Sequence, residues 1–128
     1  MIVARRYLTA SLLLAAGGAV YELFSHGVYS YYMIYAFAIP LVLGCLPHLL
    51  DSRGVFEVSG SVNENLLLAS ISTLSIGSII KGVLEIYGTT NSLMLFYPIA
   101  GGILMLLSIS SLFIGMMSMR GRENSNAA

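Results

Sequence analysis

Six side chains could do chemistry in a chain otherwise poor in it: Tyr21, Glu22 and His26, and further along Lys81, Glu85 and Tyr87. Glu22 and His26 are four positions apart, as are Lys81 and Glu85, so on helices each pair shares one face. Two carboxylates near one lysine titrate as a coupled set. In apolar surroundings Glu22 and Glu85 would bind a cation or a proton. Lys81 would tune them or pair with them in turn, and His26 would titrate at the entrance. Tyr21 and Tyr87 could offer hydroxyl protons to a ligand or to the glutamates. The competing reading is structural: Lys81 and Glu85 neutralise each other, while Glu22 and His26 occupy an interface or snorkel outward.

The elements that must position these groups follow from composition. Of the 128 residues, 57% are apolar and 9% charged, with Lys and Arg balancing Asp and Glu six to six. Soluble domains have about 45–50% apolar and about 25% charged residues, so a bilayer is needed to take up the surplus. Four apolar blocks, residues 7–25, 31–50, 66–87 and 93–119, are each near the length that crosses hydrocarbon. Alternating ten-residue patterns are missing, so helices are expected rather than a barrel. The fold expected is all-α, a single polytopic domain over residues 1–128 with four transmembrane helices. The opening Arg5-Arg6 and apolar run also resemble a secretory signal, but a retained first helix is the reading that keeps the internal match described below.

Arg5 and Arg6 precede the first helix, Arg53 lies in the connection 51–65, and Arg120 and Arg122 follow the fourth. The two opposite loops hold no Lys or Arg, so the positive-inside rule puts both termini and the central loop in the cytoplasm, with the plasma membrane as the location. In that loop Val55 to Val58 suggests a short extended surface piece between turn markers. Asn63 or Ser61 suits an N-cap of the third helix, and Thr90 or Asn91 of the fourth. His48 is expected at the inner interface and Cys45 as a packed small hydrophobe.

A shift of 63 positions lays AVYELF (Ala19 to Phe24) over GVLEIY (Gly82 to Tyr87), matching Glu22 with Glu85. Two parallel-repeated helix hairpins about an axis along the membrane normal would explain it. Small residues continue each acidic face inward: Ser11, Ala15 and Gly18 on the first helix, and Ala69, Thr73 and Gly77 on the third. Such stripes let helices approach closely and meet at their charges. Pro40 in the second helix and Pro98 in the fourth are expected to kink them.

Other chemistry fares poorly. A balanced charge argues against nucleic acid. A single cysteine forbids an internal disulfide. His26 and His48 fall on opposite sides, and Lys81 opposes a metal held by Glu22, His26 and Glu85, so neither metal nor cofactor is expected. No nucleophile elbow is present, and a non-enzymatic role is favoured. Small size, four spans and the helix-one glutamate Glu22 are similar to small multidrug exporters, whose other signals do not line up here. The expected function is a small oligomeric transporter or permeation protein for a cation, proton or small charged solute, as a homodimer or in a larger membrane complex. The alternative is a non-catalytic membrane subunit or scaffold.

Overall fold

A computed structural model describes residues 2–51 and 61–127, the side chain of Ser61 excepted. It is all-α among the described residues, and three helices are long and apolar enough to cross a membrane: α1 (Ile2–Phe24), α4 (Ser61–Ile86) and α5 (Phe96–Asn126). The expected loop turns and the piece at Val55 to Val58 lie outside the described residues. The second apolar block differs from the continuous helix expected there. It comprises α2 (Tyr31–Ile34), a turn at 35–37, a π-helical stretch Pro40–Cys45 and α3 (Leu46–Asp51).

Pro40 accounts for the break. Proline has no N–H to give the carbonyl four residues back, and its ring crowds that carbonyl. The chain answers with a short-range bond from Ala36 N–H to Met33 O at 3.3 Å, a turn, and then wider π-helical winding. A break in a membrane segment leaves carbonyls that lipid cannot satisfy. Here neighbouring serines supply donors. Ser11 Oγ of α1 donates to Phe37 O at 2.7 Å, and Ser78 Oγ of α4 donates to Tyr32 O at 2.7 Å. Close to Pro98 the winding changes, from the 3-10 turn Ser92–Leu95 to α5. Pro98 lies in the first turn of α5, where its missing N–H leaves the preceding turn without an α-type bond to Met94 O.

The elements form a row: α1 packs on the interrupted segment, that segment on α4, and α4 on α5. Glycines set the spacing. A Cβ on Gly44 would enter the Tyr7 ring, one on Gly77 would meet Tyr97, and one on Gly101 would meet Leu74. Ser70 Oγ donates to Gly101 O at 2.9 Å, and Ser108 Oγ to Asn63 Oδ1 at 2.6 Å, so buried hydroxyls also tie α4 to α5. The core sits at the N-terminal end of α1, where Ala4, Tyr7, Cys45, Leu67 and Ile71 pack together. His48 is buried: its ring stacks on Tyr7 at 5.5 Å between centroids and 14° between planes.

Candidate functional site

At the end away from that core, α1 stops at Phe24. Ser25 N–H bonds to Glu22 O, and the Ser25 hydroxyl lies 2.7 Å from Glu22 O and 2.6 Å from Val28 O. His26 and Gly27 then take left-handed backbone angles, φ 55° and 88°. Glycine adopts this region freely, and histidine is among the few other residues that visit it. The reversal carries His26 out of the helix into an exposed turn, so the four-residue spacing from Glu22 does not continue one helical face. Asn91 performs a capping role at the turn between α4 and α5: its Oδ1 accepts from Leu93 N–H at 3.0 Å.

Glu22 is half-buried on α1, and its Oε1 is buried without a hydrogen-bond partner among the described residues. The carboxylate borders a cavity of about 200 Å³ walled by Ala15, Gly18, Ala19, Met33, Ile34 and Phe37. A carboxylate oxygen removed from water and given no donor is costly, which makes it an acceptor for a proton or a cation. The small residues expected along α1 do face inward here, with Ser11 and Gly18 buried. What they face is the interrupted segment, not α4.

Glu85 reaches the same segment from α4. Its Oε2 accepts from Ser30 Oγ at 2.6 Å, and Ser30 itself is fully buried. Lys81 takes another direction. Its Nζ lies 3.9 Å from the centroid of the Tyr32 ring, within cation–π range. Lys81 and Glu85 therefore engage different partners, and no ion pair joins them. Tyr21 of α1 and Tyr87, just past the C-terminal end of α4, lie near each other. The structure thus brings Tyr21 to Tyr87 and sets Glu22 and Glu85 against residues 30–37 from separate helices. It leaves His26 outside and turns Lys81 to the far side of the segment.

Met33 joins the two halves of this arrangement. A Cβ on Gly18 would sit 3.2 Å from Met33 O, and a Cβ on Gly82 would sit 2.9 Å from Met33 N. The two glycines thus grip the backbone of α2 between α1 and α4. Sequence reasoning passed over Ser30, Ser78 and Met33, and it read Ser11 only as a small packing residue, not as a donor to Phe37 O. The single available signal was Pro40, because a broken membrane helix implies that hydroxyls nearby must take up its carbonyls. Among the described residues, no group of three or more His, Cys, Asp or Glu side chains converges as metal ligands would.

No protein-family model, curated protein or solved structure matches the chain.

Proposed function

We propose that this chain is a small, non-catalytic transport protein of the plasma membrane that moves protons or small cations and works as an oligomer. The observation that supports it is the buried, unpartnered Oε1 of Glu22, facing a cavity beside the interrupted segment. Transporters place ion sites where a membrane helix is discontinuous. Glu85 and the two tyrosines at the same end serve as further proton-bearing groups, and His26 stands at the entrance. The interrupted segment counts as a fourth crossing. With four, the basic residues at both ends and in the central connection fall on one side, the cytoplasm. The two hairpins read as a parallel repeat whose second members have diverged, one broken by Pro40 and one continuous. A row of helices encloses no path by itself, so a second copy is required to close one.

The test uses the full chain in liposomes holding a pH-sensitive dye, under an imposed proton or cation gradient. Flux above that of empty liposomes is expected, lost in Glu22→Gln and partly kept in Glu22→Asp. Flux equal to empty liposomes for protons, alkali cations and small amines alike would sink the reading.

A second reading has its own observation. Gly115 on α5 has open space where a Cβ would project, and the neighbouring Ser111 is only half-buried. Small residues at this spacing suit close approach of another helix. As a subunit of a larger complex, the chain would co-purify with a stable, stoichiometric partner at native expression level. Recovery as a homogeneous self-complex counts against that role.

A further inference from the structure

The interrupted segment and α5 lie on α4 without closing on each other, which leaves a groove along its outer half. The groove is a half-open cavity of about 330 Å³. Tyr32 and Ile39 wall one side, Met94 and Pro98 the other, and Leu74 and Lys81 belong to its α4 floor. Its volume falls at the low end of the range for small-molecule sites.

Lys81 is the unusual member. It lies five residues before the end of α4, roughly 7 Å down the helix axis at the standard rise. Lysines at such depth usually snorkel to water or pair with an acid. This ammonium rests on the Tyr32 ring, and among the described residues no carboxylate forms an ion pair with it. Glu85, the nearest acid in sequence, is committed to Ser30. The site therefore offers a positive charge with no ion-pair partner among the described residues, beside a mostly apolar slot within a membrane-spanning region.

We infer that this groove is a binding site for an anionic phospholipid of the outer leaflet. The headgroup phosphate lies against Lys81, and an acyl chain lies between Ile39, Leu74, Met94 and Pro98. The charge is complementary, and the apolar walls match a chain instead of a free anion. A bilayer fills such a slot with hydrocarbon rather than leaving it empty. The site is separate from the Glu22 cavity across the interrupted segment and does not depend on the transport reading.

The chain has no tryptophan, so a single Met94→Trp reports on the groove alone. The full-length variant is placed in phosphatidylcholine nanodiscs with increasing dibrominated phosphatidylglycerol or dibrominated phosphatidylcholine. Half-maximal quenching is expected at about a fivefold lower fraction of the anionic lipid, the size one lysine produces on one lipid charge near the surface. Lys81→Gln should make the two lipids equal, and Lys81→Arg should keep the preference. A Leu107→Trp reporter on the exposed face of α5 should show no preference. Equal quenching in the protein with Lys81 overturns the inference, as does a preference that survives Lys81→Gln. The same preference at Leu107→Trp means ordinary boundary lipid and also overturns it. Loss of the preference on adding inorganic phosphate assigns the site to a free anion and overturns the lipid. If Lys81→Gln does not fold, the comparison of lipids and the Lys81→Arg variant still decide.

Discussion

Replacing Gly82 by alanine tests whether Met33 is gripped between α1 and α4. The new Cβ would lie 2.9 Å from both Met33 N and Met33 Cβ and 3.2 Å from Met33 Cα. Two of these three atoms are backbone, so no side-chain rotation relieves the contact. Either α2 or α4 must shift, and overpacking of this kind costs about 1–3 kcal/mol. Alanine also favours the helix over glycine by about 1 kcal/mol, which offsets part of that loss. A net loss of up to about 2 kcal/mol follows from those two terms. Gly102→Ala is the control: nothing lies within 4 Å of its Cβ, so only the helix gain remains. Far-UV circular dichroism during titration of mixed micelles with dodecyl sulfate gives both midpoints. Gly82→Ala should unfold at lower dodecyl sulfate than the parent, and Gly102→Ala at equal or higher. A Gly82→Ala midpoint at or above that of Gly102→Ala would refute the grip on Met33.

Three other outcomes are expected. Ser30→Ala removes the donor to Glu85 Oε2 and leaves a carboxylate short of a partner. The same titration should show a loss of about 1–2 kcal/mol, and no loss would mean that water takes over the bond freely. Ser11→Ala should cost about 1 kcal/mol by stripping Phe37 O of its hydroxyl donor, whereas Ser110→Ala, which breaks only a bond to Leu106 O within its own helix, should cost less. In a Cys45→Ala background, a cysteine at Ser92 should react with an impermeant thiol reagent outside intact cells and one at Ser125 should not; the reverse pattern would invert the assigned orientation.

The apolar blocks were legible because length and hydropathy alone mark a segment that a bilayer can take up. Helix ends were less so. Arg5 and Arg6 read as a flank, yet arginine is a good helix former and α1 runs through them from Ile2. The stripe of small residues on the first helix was correctly placed on a packed face, since Ser11 and Gly18 are buried. Its partner was misassigned. Periodicity tells which side of a helix is buried, but not which element covers it, and the interrupted segment fills the place expected for the third span. On that span the stripe divides among neighbours: Gly77 meets Tyr97, Lys81 meets Tyr32 and Glu85 meets Ser30. A four-residue spacing drifts around the helix, so a line read as one face serves two sides. Pro40 announced a kink, but the serines that satisfy it are far away in sequence and became visible only in three dimensions.

The row arrangement also bears on how the protein is made. α1 is held chiefly by the interrupted segment, and that segment is fastened to α4 through Ser78, Ser30 and Gly82. When Asp51 leaves the ribosome, Ser30 has been made, but its acceptor Glu85 and the α4 residues Ser78 and Gly82 have not. At roughly 5–20 residues per second, the first hairpin waits some seconds for Ile86 to emerge. During that interval its broken middle has Ser11 as a donor but lacks Ser78, so one carbonyl of the break must find water or a chaperone's polar surface. Residues 31–51 are thus the stretch most in need of a holding factor at the membrane, and variants that weaken the α4 anchors should be cleared before insertion is complete.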